Sequence, residues 1–471
     1  MHSNEQNGLL LSDGQMQEFI RDGYVTVHTA LPEKFHASIC RQADALLGAE
    51  PNPGNNLLPR IPDLARMLAD PAVHGALTSI LGPGYLLDDH RYCHDNRPGS
   101  KPQNMHQDGG SQGDHRTRKV LLLYYPQDTP DELGPTGVLP GSQYYAQRPP
   151  GTPVRVVTGS AGTVTITHYE LWHGATANRT ERPRYMMKFL LHRMQEPEEP
   201  SWNAGDAGWD TDSPLWNTMW RWHRGNADAT PPRAVPGDAG SIHGNGNASL
   251  EWLADPDLRR GMDAAYALAA AANGAGAALA ARACEALAGD CAATAVRAVY
   301  ALAALGPAAV PALGEALTHR VAGARARAAQ ALAEMGGATA AAEPALRRAL
   351  SDDDTSVRAW AASALGTGCG VDAEASIAAL AASIDADLPD RGYRRQTSAH
   401  AMARLAGKVE ADAADRVARL LAPHLDSGNR YVRGLTAVAL RRLGTPAATE
   451  LLLDWLSVAR WCPITTPDSP F

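Results

Sequence analysis

The sequence predicts a multidomain chain in which a β-rich N-terminal domain with flanking helices precedes an all-α region of helical repeats. Three observations point to this class. Residues 119–125 and 162–167 are apolar or β-branched runs bounded by turn residues, as strands are. Residues 196–246 are rich in Pro, Gly and Trp. Beyond residue 250, an Ala/Leu/Arg-rich pattern returns at intervals of roughly 30 to 40 residues, a period typical of stacked helix pairs.

Bulk properties limit the function classes. With 471 residues, the chain is long enough for two or three buried cores. Its net charge of −8 and pI near 6.1 argue against a general nucleic-acid binder, which needs a basic surface. No apolar run of membrane-spanning length lacks charges or glycines, and residues 1–7 lack a signal-peptide pattern. We therefore expect a cytoplasmic protein that binds neither nucleic acid nor membrane.

Local signals order the N-terminal elements. Ser12 and Gln15 form a capping box and Gly23 supplies a stop, which predicts a helix over 13–22. The remaining predicted elements are helices near 35–47 and 71–81 and strands over 24–28 and 86–92. We expect these helices to pack on the outside of a barrel. The six cysteines form no Cys-x-x-Cys pair, which predicts reduced thiols.

Two segments carry candidate metal ligands. On a strand, His106 and Asp108 would project to the same face, because residues two apart do so. A neighbouring strand would bring His173 into the same cavity. Two imidazoles and one carboxylate on one face of an octahedron are the ligand set of non-haem Fe(II) oxygenases. The His-x-acid pairs at 168–170 and 424–426 lack this context, and we interpret the second as ordinary surface residues.

Four blocks of sequence extend this pattern. In chain order they are residues 11–27, Pro98-Gly99 with Met105-His106-Gln107-Asp108, the turn at 132–143, and the segment 171–184 that contains Leu171-Trp172-His173-Gly174. Together, over residues 10 to 195, they resemble the phytanoyl-CoA dioxygenase family of Fe(II)/2-oxoglutarate oxygenases. The resemblance implies a double-stranded β-helix, which is a jelly-roll barrel.

The resemblance also implies roles for individual residues. His106, Asp108 and His173 would bind Fe(II), with 2-oxoglutarate and O2 as co-substrates. Arg184 would bind the distal carboxylate of 2-oxoglutarate, a role suited to a planar guanidinium. Arg182 is the rival for this role, although a period of two places Arg184 on one strand face with Met186 and Lys188.

Further positions of the family pattern are less direct. An aromatic residue that lines the co-substrate pocket in relatives corresponds to Tyr124 or Tyr125. Many relatives have a serine two residues after the histidine that corresponds to His173; here that position is Ala175, with Thr176 beside it. A carboxylate at Asp108 argues against halogenation, because halogenating relatives replace it to open a halide site.

Polar loop residues are candidates for substrate contact. They either face an anionic or polar substrate near the iron or are solvated loop charges: His94, Arg97, Lys101, His115, Arg116 and Arg118.

The C-terminal half resembles HEAT-like repeats, which stack into a curved α-solenoid. The predicted domains are a jelly-roll dioxygenase domain at 1–200, a Trp-rich connector and linker at 201–249, the HEAT-like solenoid at 250–458 and a tail at 459–471. We expect the Trp residues to be packed, with a substrate lid as the alternative. The Pro-rich tail is either a disordered end or, by hypothesis, a segment that folds back on the catalytic domain. The recurring arginines, at 297, 327, 358 and 433, are expected to pair with carboxylates of neighbouring repeats.

Sequence alone thus favours an Fe(II)- and 2-oxoglutarate-dependent dioxygenase that hydroxylates, desaturates or rearranges a small metabolite, such as a biosynthetic intermediate. Two alternatives remain open. The solenoid could hold a protein substrate or mediate self-association, since stacked repeats offer a concave surface. The chain could also be a non-catalytic scaffold with a relic barrel.

Overall fold

A computed structural model describes residues 9–50, 53–109, 113–206, 208–226, 250–272, 275–337, 339–368, 371–386 and 393–458. Its contacts divide the chain into two compact units. The first holds the β-rich region and residues 222–225, and the second holds residues 210–221 and the helical region. The Trp-rich connector therefore contributes to both units. The predicted linker at 227–247 and the tail at 459–471 lie outside the described residues.

The first unit follows the predicted order of elements. Its helices are α1 (Asp13–Asp22), α2 (Glu33–Ala49), α3 (Leu57–Arg60), α4 (Leu64–Leu68) and α5 (Pro71–Leu81). Its strands are β1 (Tyr24–His28), β2 (Leu86–Asn96), β3 (Lys119–Tyr125), β4 (Thr136–Val138), β5 (Arg155–Val156), β6 (Thr163–His168), β7 (His173–Ala175) and β8 (Arg184–His192). The capping box of Ser12 and Gln15 begins α1, and Gly23, at φ +82°, ends it as predicted.

Two antiparallel sheets form the predicted jelly roll. The larger sheet has the strand order β1-β6-β3-β8-β2, and the smaller has the order β5-β4-β7. Residues two apart on β3 and β8 share the inner face of the larger sheet. They form an apolar cluster of Leu121, Leu123, Tyr125, Met186 and Leu190. Two of its members, Leu123 and Met186, also line a cavity in the barrel.

Helices cover the other face of the larger sheet, as expected for the outside of the barrel. Tyr124 of β3 points to this outer face, where its hydroxyl lies 2.7 Å from His36 Nδ1 of α2. Both residues are buried. The hydrogen bond satisfies two polar groups that would be costly to bury alone.

The Trp-rich segment is packed, as expected. Trp202 and Trp222 are both buried within the first unit, and Trp222 Nε1 donates to Glu196 Oε2 at 3.0 Å. The guanidinium of Arg193 lies 5.1 Å from the centre of a Trp222 ring, within cation–π range. Helix α6 (Pro214–His223) carries Trp222 near its end.

The second unit is a two-layered stack of helices, which is the predicted solenoid. The helices are α7 (Leu258–Ala271), α8 (Gly276–Ala286), α9 (Ala292–Leu305), α10 (Val310–Ala316), α11 (Ala322–Met335), α12 (Glu343–Ala349), α13 (Thr355–Thr367), α14 (Ala373–Asp385), α15 (Tyr393–Ala406), α16 (Ala411–Leu421), α17 (Arg430–Leu443) and α18 (Pro446–Val458). Successive odd-numbered helices contact one another along one layer. Along the other layer, successive even-numbered helices do the same, except that α10 and α12 each contact the 3-10 turn at Ala340–Ala342.

The recurring arginines bind backbone carbonyls rather than carboxylates, so that prediction is wrong. Arg297 Nη1 donates to Leu253 O at 2.8 Å, and Arg327 Nη1 donates to Leu287 O at 2.7 Å. Arg358 and Arg433 likewise donate to carbonyls of the turns that precede their own helices. The guanidinium therefore satisfies carbonyls that helix ends leave without an intrahelical donor.

One stretch of the described residues, Ala292–Ala316, is long and apolar enough to cross a membrane by composition. It is α9 joined to α10 by a 3-10 turn at Gly306–Ala309, and 56% of its most apolar window is buried inside the unit. Its apolar side chains therefore pack in the core of the helical unit.

Three buried histidines of the first unit predict acid-sensitive stability. Burial lowers the pKa of His115 to about 3, of His168 to about 4, and of His223 well below its ordinary value. The unfolded chain protonates them near pH 6.5. Stability should therefore be fully present above about pH 6.5 and fall as the pH drops, by up to about 1.4 kcal/mol per pH unit for each histidine.

Thermal unfolding followed by circular dichroism between about pH 8 and pH 4.5 measures this dependence. His115→Gln should flatten the profile, because it removes one of these buried imidazoles. A midpoint that does not move over this window would contradict the prediction.

Candidate metal centre

A backbone bridge brings the two candidate histidines together. His106 N donates to His173 O and His173 N donates to His106 O, each at 2.9 Å, as an isolated antiparallel bridge. His173 begins β7, but the chain turns at Asp108 and Gly109 and forms no regular strand there. The predicted shared strand for His106 and Asp108 is therefore wrong. The turn nevertheless brings both side chains into one cavity.

The three side chains converge on one point. Asp108 Oδ1 lies 3.5 Å from His106 Nε2 and 3.8 Å from His173 Nε2. The two imidazole centroids are 4.6 Å apart, and all three candidate ligand atoms lie within 4.8 Å of one another. Two nitrogens and one oxygen are a donor set suited to a first-row divalent metal.

Hydrogen bonds orient both imidazoles. His106 Nδ1 lies 3.0 Å from Asn104 O, and His173 Nδ1 lies 2.9 Å from Leu171 O. A carbonyl can only accept, so each Nδ1 carries a proton, and in the neutral form of each ring Nε2 then has a lone pair for a metal. Such outer contacts orient metal-binding histidines.

The charges of the cavity keep Asp108 ionised. Burial by itself would raise the pKa of Asp108, but the hydrogen bond with His106 and the charge of Lys188 hold it well below its usual range. The Asp108 hydrogen bond raises the pKa of His106, while burial lowers that of His173. Lys188 Nζ donates to Asp108 Oδ2 at 2.8 Å.

A cavity of about 290 Å³ opens beside the three residues. Its wall combines apolar side chains with charged ones. Leu123 and Met186 belong to the inner apolar cluster, and Arg184, Lys188 and His94 add polar atoms. Burial and the two neighbouring cations lower the pKa of His94 to about 3, so this imidazole is neutral.

Arg184 is buried at the start of β8 and lines the cavity. Its Nε donates to Gly134 O at 3.0 Å. Among the described residues, no acceptor lies within hydrogen-bonding distance of its Nη1. The rival Arg182 is exposed. A buried guanidinium with an unused donor is suited to a carboxylate ligand.

Comparison with protein families agrees with this arrangement. Residues 19–186 match the family model for phytanoyl-CoA dioxygenase (PhyH). The N-terminal region is a PhyH family domain. Residues 267–366 and 322–403 match the model for HEAT repeats, which is the second predicted component. Residues 19–186 thus form a domain of an oxygenase family. No curated protein matches the chain.

Three solved structures illustrate what the chain is similar to. SnoN, a non-haem alpha-ketoglutarate-dependent epimerase from nogalamycin biosynthesis, is 21% identical, with 39% of this chain and 83% of SnoN covered and a TM-score of 0.34. SnoK, a carbocyclase from nogalamycin biosynthesis, is 18% identical, with 39% and 85% covered and a TM-score of 0.34. EctD from S. alaskensis, with 2-oxoglutarate and 5-hydroxyectoine, is 21% identical, with 43% and 83% covered and a TM-score of 0.36.

The aromatic residue predicted at the co-substrate pocket of the PhyH domain requires a correction. Tyr124 points to the outer face of β3 and does not line the described cavity. Tyr125, one residue later, belongs to the inner cluster and donates its hydroxyl hydrogen to Thr136 Oγ1 at 2.7 Å. Thr136 lines the cavity. Of the two tyrosines, only Tyr125 lies on the same side of the sheet as the candidate metal ligands.

The prediction that Thr176 lines the co-substrate pocket is also wrong. The Thr176 hydroxyl donates to Pro135 O at 2.8 Å, which directs it away from the described cavity. Ala175, the residue before it, lines the cavity instead. Successive residues of an extended segment face opposite sides, so one position decides which side chain reaches the site.

The polar residues predicted to contact substrate have different surroundings. Arg97 is exposed, and its Nε donates to Asp95 Oδ2 at 2.7 Å, outside the described cavity. His94 and Lys101 line the cavity of the PhyH domain. His115, Arg116 and Arg118 are buried outside the described cavity.

The interpretation of the His-x-acid pair at 424–426 as surface residues is wrong for the histidine. His424 is buried in the solenoid, with Nε2 3.3 Å from Asp385 Oδ1, and is therefore not a surface residue.

Sequence reasoning assigned no role to Lys188. Its signal was present in the period of two that groups it with Arg184 and Met186 on β8. A lysine at a buried strand position is unusual, and its partner Asp108 explains it.

Gly134 lies in a tight turn, and its carbonyl oxygen accepts the hydrogen bond from Arg184 Nε. We therefore expect Gly134→Ala to destabilise the domain. Gly134 adopts φ +76°, and an added Cβ would lie 2.9 Å from both Asn178 N and Thr176 O. The variant should lose about 1–3 kcal/mol of unfolding free energy beyond the cost of a left-handed alanine. Gly151→Ala is the matched control, because Gly151 has φ +72° and nothing within 4 Å. Equal losses in chemical denaturation would rule out a role for the crowding at Gly134.

Proposed function

We propose that the PhyH domain is a non-haem Fe(II)- and 2-oxoglutarate-dependent dioxygenase. It hydroxylates a small metabolite, such as a biosynthetic intermediate, at an unactivated C–H bond, with desaturation and rearrangement as related outcomes. One observation carries the proposal. Two imidazole nitrogens and Asp108 Oδ1 converge beside a buried arginine that has an unused donor.

The donor set fits ferrous iron. The Nε2 atoms of His106 and His173 would bind the metal in the neutral form of each ring, and Asp108 supplies one ionised oxygen. Two histidines and one carboxylate on one side of a metal leave the other side open, as in non-haem Fe(II) oxygenases. These three residues would hold the metal.

The basic residue fits 2-oxoglutarate. The unused Nη1 of Arg184 would donate to the distal carboxylate of the co-substrate in the described cavity. Burial lowers the pKa of Arg184, so its charge is poorly solvated and gains most from an anionic partner.

When bound, ferrous iron and 2-oxoglutarate together reduce O2 and supply the oxidant that removes hydrogen from substrate carbon. The residues of the chain orient and protect that chemistry. Leu123 and Met186 give the cavity apolar walls that exclude water. Arg184 supplies fixed positive charge where an anionic group is expected.

The volume of the cavity supports a small substrate. About 290 Å³ lies at the lower end of the range found for small-molecule sites. His94 and Lys101 contribute polar atoms to its wall, so the substrate is expected to carry polar or anionic groups.

A protein substrate is the second candidate, favoured by the HEAT repeats alone. Stacked repeats bind partners along extended surfaces, and self-association is a related use. Succinate formation that requires a protein fraction, and no small molecule, would favour this candidate.

The ligand set predicts loss of turnover in His106→Ala. Purified protein with Fe(II), 2-oxoglutarate and O2 should form succinate, and the variant should form none above background, because one of three metal donors is removed. His28→Ala, at an exposed position of β1, should retain wild-type rates. Wild-type protein that neither binds Fe(II) nor forms succinate with any supplied substrate would overturn the proposal.

The assignment of the co-substrate arginine predicts a second contrast. Arg184→Gln should raise the KM for 2-oxoglutarate roughly 10- to 100-fold, the value of a charged hydrogen bond. Arg182→Gln should leave it nearly unchanged, since Arg182 is exposed. Initial rates measured against 2-oxoglutarate concentration give both values, and the reverse order would assign the role to Arg182.

A further inference from the structure

Lys188 is a buried cation in the wall of the proposed active site. Its side chain is 11% exposed, and its Nζ donates to Asp108 Oδ2 at 2.8 Å. A charged ammonium is seldom placed inside a barrel without a specific partner. The partner is the carboxylate that would bind the metal.

The backbone holds Lys188 in place. Strand β8 lies between β2 and β3 in the larger sheet. In the strand registers, Lys188 is opposite Tyr92 on one side and Leu123 on the other. A residue paired on both sides has little backbone freedom, so the direction of its side chain is well defined.

The two oxygens of Asp108 have different partners. Oδ1 faces the Nε2 atoms of His106 and His173, at 3.5 and 3.8 Å. Oδ2 faces Lys188 instead. The carboxylate therefore presents one oxygen to the metal position and the other to the ammonium.

This asymmetry bears on coordination. A carboxylate with both oxygens available can bind a metal through one or both of them. Binding through both would occupy a position on the side that 2-oxoglutarate and O2 need. A strong hydrogen bond from an ammonium to Oδ2 opposes this change.

We propose that Lys188 is a positioning residue that restricts Asp108 to one-oxygen metal binding and so keeps a coordination position open for 2-oxoglutarate. This inference rests on the proposed function. Lys188 acts through Asp108 and needs no contact with the substrate.

The alternative is that Lys188 only neutralises a buried carboxylate. In that case, its removal would weaken the whole site, and affinities for metal and co-substrate would fall together. The positioning role predicts that they separate. Without the ammonium, a divalent metal should bind as tightly as before or more tightly, because a repelling charge is gone and a second oxygen is available. Only the affinity for 2-oxoglutarate should fall.

The test uses full-length protein loaded with Co(II), whose visible absorption reports its coordination and which needs no turnover. Titration with Co(II) and then with 2-oxoglutarate gives both dissociation constants. Lys188→Met, which keeps an unbranched chain without charge, should weaken 2-oxoglutarate binding about tenfold or more. Its Co(II) affinity should not fall. Lys188→Arg, which restores a cationic donor, should recover much of the 2-oxoglutarate affinity.

Lys119→Met is a matched control. Lys119 Nζ also pairs with an aspartate, Asp114 Oδ2 at 3.2 Å, from strand β3, but it does not line the described cavity. This variant should leave both dissociation constants unchanged. If Lys188→Met does not fold by circular dichroism, Lys188→Gln serves in its place, since its shorter neutral side chain also lacks the charge.

Two outcomes would overturn the inference. One is 2-oxoglutarate affinity in Lys188→Met within about twofold of wild type, a difference too small for an open coordination position. The other is a joint fall of both affinities, which indicates simple charge neutralisation. Failure of the proposed function looks different, because wild-type protein itself would then bind neither Co(II) nor 2-oxoglutarate at this site.

Discussion

Two backbone hydrogen bonds between His106 and His173 are the constraint on which the proposed active site depends. They tie a turn-forming segment to the first residue of β7, although the two residues are far apart in the chain. The imidazoles project from adjacent positions, and their Nδ1 atoms are used by carbonyls. The turn at Asp108 then needs only one short side chain to complete the donor set. Without this bridge, the three residues would be separate features of a jelly roll.

The second organising feature is the balance of charge inside the barrel. Arg184 and Lys188 both project from the inner face of β8, and Asp108 neutralises one of them. Charges are costly to bury unless they are paired or hydrogen bonded. The polar atoms of Arg184 are partly satisfied by Gly134 O, while Nη1 has no acceptor among the described residues. The cavity therefore has excess positive charge, which favours an anionic ligand.

The solenoid is stabilised by different interactions. Its helices are held by small apolar side chains, and buried or half-buried arginines donate to carbonyls at the turns between helices. Each arginine thus satisfies backbone groups that a helix end leaves open. Backbone carbonyls are present at every turn whatever the side chains are, which explains why carboxylates were not needed as partners. The repeating position of the arginine reflects this repeating structural need.

The sequence by itself determined the features that are local or periodic. The cap of α1 by Ser12, its end at Gly23, the strands near 119–125 and 162–167, and the helix-pair repeats all follow from short patterns. The order of His106, Asp108 and His173 was also visible, through resemblance to a family.

Only the tertiary structure decided which side chains meet. Neighbouring residues of an extended segment face opposite sides. Tyr125 and Ala175 therefore lie on the cavity side, whereas Tyr124 and Thr176 face away from it. The tertiary structure also buries Arg184, leaves Arg182 exposed and gives Lys188 a partner in Asp108. A period of two specifies which residues share a face, but not which face looks inward, because that choice depends on pairing between strands distant in sequence.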